Sequence, residues 1–472
     1  MSDTRTTSLC PQCLRRLPAT VVRRGDEVWL ERTCPDHGEA RALVWHGPPG
    51  YDEWRRAGTG PSCCDPAENP DCPTACGLCG SHVRQTCCVL LEVTARCDLE
   101  CPICFASARR GSSADPSIDE IEGWYRRLLE LAPGCNVQLS GGEPTVRDDL
   151  PRVIALGRFL GVPYLQLNTN GLRLAADDEY AETLAAAGLQ TVFLQFDGVD
   201  DAAHLALRGL PLAALKERAI EHCAAAGLGV VLVPTVVRGV NLDQLGRILD
   251  FGLERLPAVR GIHLQPLALL GRYPDAYAAD RDAVDRDAAD RVTLPDVMRE
   301  LSAQSAGRIL LEDLAPGDCE HALCSFSREY FHAADGALVP LRRDVAESCD
   351  CGGAAAGRSR RTLRPTDKAA HVARRWSAPA TSCCDTPEAS DDQWSDILRQ
   401  VRANTFSVSA MAFQDAWTVD LERLRHCYLH VLAADGRFVP FCAYNLTGAD
   451  GRGLGVGRRS QRSGSRPGEP DP

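Results

Sequence analysis

The stretch VLLEVTARCDLECPIC, residues 89–104, decides the fold of this chain. An apolar, β-branched run predicts a buried strand, and Cys97, Cys101 and Cys104 follow it in one loop. An iron-sulfur cube has four irons, and a cysteine thiolate normally holds each of them. Three cysteines in one loop therefore predict a 4Fe-4S cluster with one open iron. The motif taken alone also fits a zinc knuckle or a redox site.

A second motif, Ser-Gly-Gly-Glu-Pro at residues 140–144, follows the next predicted strand. Gly141 and Gly142 let the backbone approach a ligand closely, and the Glu143 carboxylate can hold an ammonium group. An ordinary turn is the alternative. In its order of strand, cysteine loop, helix, strand and Gly-Gly-Glu, the chain resembles the radical S-adenosylmethionine (SAM) superfamily.

This resemblance implies that the Gly-Gly-Glu segment binds the amino group of SAM, whose amino and carboxylate groups chelate the open iron. An electron from the cluster then breaks a sulfur-carbon bond and yields a 5′-deoxyadenosyl radical. The cofactor supplies this chemistry, and the protein supplies placement and exclusion of water.

Alternating strand and helix patterns between residues 89 and 315 predict an α/β fold, a partial (β/α)6 barrel with a TIM-like arrangement. The helices include residues 118–131, opened by a Ser117 and Glu120 capping box, and residues 212–226. The six predicted strands are residues 89–94, 137–140, 164–168, 192–196, 229–236 and 261–266.

Polar residues stand at the ends of the third and fourth predicted strands. They are Asn168, Asn170, Gln195 and Asp197. In a parallel barrel the carboxyl ends of the strands form one face, which carries the chemistry. The resemblance implies that these side chains contact SAM or the substrate, and loop capping is the alternative.

The chain has 23 cysteines, and reduced cysteines in this number suggest metal sites rather than disulfides. Just before the barrel, Cys72, Cys76, Cys79 and Cys87 would close an auxiliary iron-sulfur cluster in a segment over residues 66–88. Cys88 is an alternative to Cys87. Because Cys87 and Cys88 are adjacent, the sequence does not decide which of them is the fourth ligand of this site.

An amino-terminal module, residues 1–65, carries Cys10 and Cys13 in one turn and Cys34 in another. Such paired turns predict a zinc ribbon or a rubredoxin-like mononuclear iron site. The fourth ligand is His37, Cys63 or Cys64, and spacing does not separate zinc from iron.

A repeat in the carboxyl region, residues 316–447, predicts two hairpins with Ala-Ala-Asp-Gly turns at 333–336 and 433–436. Around them Cys319, Cys324, Cys427 and Cys442 would hold another auxiliary cluster, and separate buried thiols are the alternative. Residues 276–291 and 354–376 are predicted to be a solvated insertion and a mobile, basic loop. The tail, residues 448–472, is predicted to be disordered. Cys349, Cys351, Cys383 and Cys384 are unassigned.

With 52 basic and 64 acidic residues the net charge is -12, which argues against nucleic-acid binding driven by phosphates. The amino terminus lacks a signal-peptide pattern, and no apolar run is long enough to span a bilayer. A cytoplasmic location is therefore expected.

Over residues 8–447 the arrangement resembles the class D radical SAM methylases and tetraether lipid synthase-like proteins. The similarity lies in the two cysteine motifs, in Leu-Glu-Val-Thr at 91–94 and in the stretch from residue 440 to 445. It implies methylation or carbon-carbon coupling at an unactivated carbon of a small molecule or lipid, with ferredoxin or flavodoxin as electron donor. An electron-transfer or adaptor iron-sulfur protein without SAM chemistry is the competing hypothesis.

Overall fold

A computed structural model describes residues 3–57, 72–74, 82–83, 86–111, 114–274, 291–317, 321–341, 375–379 and 393–455. Several predicted features lie outside these residues: Cys63, Cys64, Cys76, Cys79, Cys319, the four unassigned cysteines, the insertion at 276–291 except its last residue, the basic segment up to residue 374, and the tail from residue 456.

The amino-terminal module is an antiparallel sheet of four strands in sequence order. Its strands are β1 Thr4–Leu9, β2 Arg16–Arg24, β3 Glu27–Cys34 and β4 Gly38–His46, and helix α1 Tyr51–Ala57 follows. The turn between β1 and β2 and the turn between β3 and β4 lie at the same end of this meander. Two turns that are far apart in sequence thus meet at one point.

Six parallel strands form the predicted partial barrel, in the order in which they occur along the chain. They are β5 Cys88–Thr94, β6 Asn136–Gly141, β7 Leu165–Thr169, β8 Thr191–Gln195, β9 Gly229–Val233 and β11 Val259–Pro266. The predicted fifth strand is interrupted at Pro234, since proline cannot donate a ladder hydrogen bond, and resumes as β10 Thr235–Val236.

Helices cover the outer face of these strands. They are α2 Ile118–Leu131, α3 Leu150–Leu160, α4 Leu172–Ala176, α5 Tyr180–Ala186, α6 Asp201–Arg208, α7 Ala213–Ala225, α8 Leu245–Leu253 and α9 Leu294–Gln304. The predicted capping box of α2 is present, with Ser117 accepting from the Glu120 N–H and Glu120 accepting from the Ser117 N–H. None of the described helices has the length and apolarity needed to cross a bilayer.

Side chains alternate in direction along the barrel strands. Apolar side chains face the helices on the outside, and every second side chain faces the lumen. Val89, Leu91 and Val93 of β5 belong to the main core between strands and helices. Leu90 and Glu92 therefore point to the opposite face, into the lumen of the partial barrel.

The carboxyl region extends the barrel sheet at both edges instead of forming a sheet of its own. Strand β14 Thr405–Met411 pairs in parallel with β11, and the first predicted hairpin, β12 Ser325–His332 and β13 Leu338–Pro340, continues from it. The second hairpin, β15 Leu429–Leu432 and β16 Phe438–Pro440, pairs with β5 at the other edge. Three further helices are Gln393–Ala403, Leu421–Arg425 and Phe441–Asn445.

The segment after β16 lies across the open side of the barrel. Leu446 forms a bridge with Leu270, which follows the last barrel strand. A second apolar cluster joins Leu90 of β5 and Met411 of β14 to Tyr444 and its neighbours. The two edges of the sheet are therefore connected through this carboxyl-terminal segment.

One part of the predicted mobile loop is instead packed inside the barrel. The Trp376 ring lies 4.9 Å from that of Phe193, and the Arg375 side chain is only 13% exposed. A Cβ atom on Gly229 would lie 2.1 Å from the Trp376 carbonyl oxygen, so glycine at the start of β9 admits this segment. The prediction of a solvated loop was wrong for this end of the basic segment because an aromatic residue anchors it.

Arg32 is a buried connection between the amino-terminal sheet and the carboxyl-terminal region. Its guanidinium donates to the carbonyls of Leu9 (3.0 Å) and Ala416 (3.1 Å), and burial lowers its pKa to about 10. We expect Arg32→Met to lower the free energy of unfolding by about 2 kcal/mol, because buried carbonyls lose charged donors. Chemical denaturation measures this loss. Arg24→Met, which removes a surface pair with Glu31, is the control with a loss below about 0.5 kcal/mol.

Candidate active site

The loop of Cys97, Cys101 and Cys104 lies at the carboxyl end of β5 in apolar surroundings. Leu99, Leu172, Leu212 and Leu215 pack around the three cysteines. Burial raises the pKa of the Cys97 thiol to about 12, so a metal that binds here must displace the proton. The donor set of three thiols in apolar surroundings fits an iron-sulfur cluster.

Arg272 fixes the course of this loop from the end of the last barrel strand. Its guanidinium donates to the carbonyls of Cys101 (3.0 Å) and Ala108 (2.9 Å). Its backbone exchanges two hydrogen bonds with Cys104. The cysteine loop is therefore tied to the opposite side of the barrel.

The Gly-Gly-Glu segment passes directly along the cysteine loop. The Gly142 N–H donates to the Thr94 carbonyl and the Glu143 N–H to the Arg96 carbonyl, each at 2.8 Å. Gly141 has a φ of +117°, and a Cβ on Gly142 would lie 2.0 Å from the Arg96 oxygen. The second motif thus lies on the same face of the barrel as the first, and only glycine permits this approach.

The Glu143 carboxylate is turned into the protein and is 2% exposed. Oε1 accepts from the hydroxyls of Thr145 (2.7 Å) and Thr169 (2.6 Å), and Oε2 accepts from the Asn170 N–H (2.6 Å). Burial raises its pKa, and these hydrogen bonds oppose that effect. The carboxylate connects the ends of β6 and β7.

Asn170 joins three parts of the site. Its side-chain N–H donates to Asp98 of the cysteine loop at 2.6 Å, and its carbonyl accepts from the buried Lys216 ammonium of α7. Burial lowers the pKa of Lys216 to about 8. Asn170 therefore lies under the cysteine loop and is held by hydrogen bonds on each side.

Asp197 is fully buried behind the cysteine loop and is bound by Arg208. The guanidinium donates to both carboxylate oxygens at 2.6 and 2.7 Å, and it also reaches the Ile103 carbonyl at 3.4 Å. Burial alone would raise the pKa of Asp197, but the charge of Arg208 lowers it. The pair supports the loop from below.

Asn168 and Gln195 face the lumen, where polar side chains are numerous. Gln166 donates to Asn168 at 3.2 Å, and Asn168 donates to Gln138 at 3.1 Å. The Gln195 Oε1 atom is buried and lacks a hydrogen-bond partner among the described residues. The strand registers place the following polar residues on the same inner face: Glu92, Gln138, Ser140, Gln166, Asn168, Thr191, Gln195, His263, Gln265, Ser407 and Ser409.

The amino-terminal turns bring four ligand atoms together. Cys10, Cys13, Cys34 and His37 have ligand atoms within 4.8 Å of one another, the one such group of Cys, His, Asp or Glu in the described ranges. The Sγ atoms of Cys13 and Cys34 are 3.9 Å apart, and His37 Nδ1 lies 3.5 Å from the Cys34 sulfur. A tetrahedral ion with bonds of about 2.3 Å to sulfur and 2.0 Å to nitrogen needs separations of about 3.8 and 3.5 Å.

Of the carboxyl-terminal cysteines, Cys324, Cys427 and Cys442 converge although they come from opposite edges of the sheet. Burial raises the pKa of the Cys427 thiol to about 12, and the charge of Cys324 adds to it. The buried Arg423 guanidinium donates to the Cys324 sulfur at 3.2 Å. The fourth predicted member, Cys319, lies outside the described residues.

The segment before the barrel is described only in part, at Cys72 and Cys87. The Cys87 N–H donates to the Tyr428 carbonyl at 3.1 Å, at the amino end of β5. Seven strand residues of about 3.3 Å each separate this end from the end that carries Cys97. Cys87 and the loop of Cys97 thus lie roughly 20 Å apart along the strand.

Sequence patterns missed several residues of the site, namely Arg208, Lys216 and Arg272. Arg208 and Lys216 lie on helices with ordinary amphipathic patterns, and their burial depends on tertiary packing.

Similar proteins were found along the whole chain. Residues 3–46 match the HMPTM N-terminal zinc ribbon domain, and residues 91–252 match the radical SAM superfamily. The 7,8-dihydro-6-hydroxymethylpterin dimethyltransferase of Methanocaldococcus jannaschii is 32% identical over 94% of this chain and 93% of its own length. A PqqA peptide cyclase of Streptomyces rochei is 34% identical over 35% of this chain and 44% of its own length.

A solved structure of Streptococcus suis SuiB with the precursor peptide SuiA has 17% identity and a TM-score of 0.35 over 44% of each chain. Nothing in these similarities favours an iron-sulfur scaffold without SAM chemistry, and the predicted resemblance is confirmed. The family uses a 4Fe-4S cluster and SAM. This chain therefore belongs to the radical SAM superfamily, as an enzyme in the family of the 7,8-dihydro-6-hydroxymethylpterin dimethyltransferase that cleaves SAM and transfers methyl groups.

Proposed function

We propose that this enzyme methylates a carbon of a small polar heterocycle of the 7,8-dihydro-6-hydroxymethylpterin type. The observation that carries the proposal is the polar lumen, in which amide, hydroxyl and imidazole groups line the inner face of the barrel. A pterin ring needs such hydrogen-bonding groups, whereas an alkyl chain needs an apolar channel. The M. jannaschii relative aligns with 94% of this chain, which supports the same substrate class.

Cys97, Cys101 and Cys104 are the proposed ligands of the SAM-binding cluster, which when bound supplies an electron for the cleavage of SAM. Gly141, Gly142 and Glu143 form the proposed cradle for the cofactor beside this loop. Their hydrogen bonds to Thr94 and Arg96 support that assignment.

We assign Asn168 and Gln195 to contacts with cofactor or substrate. The buried, unpartnered Gln195 Oε1 supports this, because such an acceptor has a desolvation cost until a donor reaches it. Asn170 and Asp197, whose groups are bound to Asp98 and Arg208, instead hold the cysteine loop in position.

The remaining cysteines are proposed to hold metals that support the site. Cys10, Cys13 and Cys34 with His37 suit a structural zinc ion, since three cysteines and one histidine are a usual zinc set. The proposed ligands of two auxiliary clusters are Cys72, Cys76, Cys79 and Cys87, and Cys319, Cys324, Cys427 and Cys442. A ferredoxin or flavodoxin is the proposed electron donor, in the reducing cytoplasm. The proposed modules remain 1–65, 66–88, 89–315, 316–447 and 448–472. The prediction of disorder is wrong for the start of the last segment, because Ala449 is 8% exposed and its N–H donates to the Pro11 carbonyl.

Cleavage of SAM is expected to depend on the cysteine loop. Anaerobically reconstituted, reduced wild-type protein should form 5′-deoxyadenosine, and Cys101→Ala should reduce its formation at least about 100-fold, because the cluster loses a ligand. Liquid chromatography of the quenched reaction measures the product. Cys223→Ala, at a buried thiol in α7, is the matched control and should keep the activity. Equal cleavage by Cys101→Ala would refute the assignment.

The substrate class is tested by supplying candidates separately to the reduced enzyme. With 7,8-dihydro-6-hydroxymethylpterin we expect a product that is heavier by one or two methyl groups, detected by mass spectrometry. Ferredoxin and flavodoxin should each be tested as electron donor in parallel reactions, and several methyl donors should be compared in the same way. Methylation or coupling of a long-chain lipid, with no change in the pterin, would overturn the proposal.

Removal of one thiol from the amino-terminal turn is expected to affect a single metal. Cys13→Ser should lose one equivalent of zinc per chain while iron and acid-labile sulfide stay at the wild-type level, because the site is separate from the barrel. Elemental analysis measures both metals. Unchanged zinc, or an equal loss of iron, would contradict the assignment.

A further inference from the structure

His263 faces the lumen from the last barrel strand, β11. Its register partner on the neighbouring strand β14 is Ser409, and His263 Nδ1 lies 2.9 Å from the Ser409 hydroxyl oxygen. The Ser409 hydroxyl donates to the Ile262 carbonyl at 3.3 Å. Since this hydroxyl has a single proton, its oxygen accepts from the Nδ1–H of His263, and that hydrogen bond fixes the tautomer of the imidazole.

This tautomer leaves a lone pair on His263 Nε2, which is farther from the strand than Nδ1. Burial and the charge of Arg375 lower the pKa of His263 to about 4, so the imidazole is neutral near pH 7. Among the described residues, the hydrogen bond to Ser409 is the one that the His263 ring makes. The side chain is half-buried on the inner face. His263 Nε2 is therefore an acceptor that a ligand in the lumen can reach.

His263 lies at the level at which the two preceding barrel strands end. Strand β9 ends at Val233 and β8 at Gln195, and these two residues are in register. Leu232 pairs with Ile262, so the last residue of β9 lies beside His263. The buried Gln195 Oε1, which has no partner among the described residues, is at the same level. Two acceptors of this kind favour a ligand that carries N–H or O–H donors.

Aromatic rings lie below this level, toward the amino ends of the strands. Phe193 precedes Gln195 by two residues on the same face of β8, and its ring centroid lies 5.9 Å from that of His263. The Trp376 ring packs against Phe193 at 4.9 Å. A flat heterocycle can stack on such rings while its edge faces His263. This part of the lumen thus suits a planar ring that contains nitrogen.

We propose that His263 is a substrate-binding residue whose Nε2 accepts a hydrogen bond from an N–H group at the edge of the heterocycle, and that Ser409 fixes the imidazole for this contact. The inference rests on the proposed function and deepens it, because it identifies the strand against which the heterocycle lies. A 7,8-dihydropterin has N–H groups at its edges and can supply the donor. An alkyl chain has no such donor and would leave Nε2 without a partner.

The test compares two substitutions that preserve different parts of the imidazole. His263→Asn keeps a donor to Ser409 but ends short of the Nε2 position, whereas His263→Gln can place an amide oxygen there. Fluorescence titration measures the binding of 7,8-dihydro-6-hydroxymethylpterin in the absence of turnover. We expect roughly 10- to 100-fold weaker binding for His263→Asn, and binding within about threefold of the wild type for His263→Gln. A residue that only supports the fold through Ser409 would give the reverse order.

Ser409→Ala should weaken binding by roughly twofold to fivefold, because the imidazole stays in place but its tautomer is no longer fixed. His222→Gln is the control and should bind the pterin as the wild type does, since this imidazole of α7 lies at the Leu174 carbonyl outside the lumen. Substrate-independent cleavage of SAM should remain in all four variants, which shows that they are folded.

Two results would overturn this inference while the proposed function stands. One is equal affinity of the wild type and His263→Asn for the pterin, and the other is weaker binding by His263→Gln than by His263→Asn. Wild-type protein that neither binds nor methylates any pterin would instead defeat the proposed function, and this inference with it.

Discussion

The site depends on a close backbone contact between the Gly-Gly-Glu segment and the start of the cysteine loop. Gly141 and Gly142 pass so close to Thr94 and Arg96 that any Cβ atom would collide with a carbonyl oxygen. This contact brings the end of β6 onto the beginning of the cysteine loop. Glu143 then extends the connection to β7 through Thr169 and Asn170, and Asn170 returns it to the loop at Asp98. A closed circuit of hydrogen bonds thus fixes the loop.

Buried charge supports the same loop from behind. Arg208 and Lys216 both lie in the protein interior, where a lone cation is costly, and each is compensated by a specific acceptor. Asp197 neutralises Arg208, and the Asn170 carbonyl accepts from Lys216. Lys216 keeps its positive charge near Cys101, because its acceptor is a neutral carbonyl. A cluster held by three thiolates is anionic, so this arrangement stabilises the bound state more than the empty one.

Most of the secondary structure could be predicted from local sequence patterns. The remaining features depend on contacts between residues far apart in the sequence. The helix of residues 118–131 and the strand of residues 89–94 could be predicted within one residue, because a capping box and an apolar run are local signals. That His37 lies beside Cys10, Cys13 and Cys34 could not be predicted, since it depends on how two hairpins align. Nor does the pattern around Glu143 or Asp197 reveal that threonine hydroxyls and Arg208 bind these carboxylates. The two hairpins look alike in sequence, yet they occupy opposite edges of the sheet, which only the pairing of β14 and β15 decides.

Segments attached to the two edges of the sheet cover parts of the lumen. Arg375 and Trp376 pack at the amino ends of the strands, and the segment around Tyr444 and Leu446 lies across the open side. In the part of the chain that the structure describes, these contacts leave approach from the carboxyl ends, where the cysteine loop lies. A reactive intermediate generated at that end needs protection from water, and closure on the other sides provides it. The inner face can remain polar because its groups bind one another, as Gln166, Asn168 and Gln138 do. A small hydrogen-bonding substrate can exchange with such partners and supply a donor to Gln195 Oε1, whereas an alkyl chain would leave that acceptor unsatisfied.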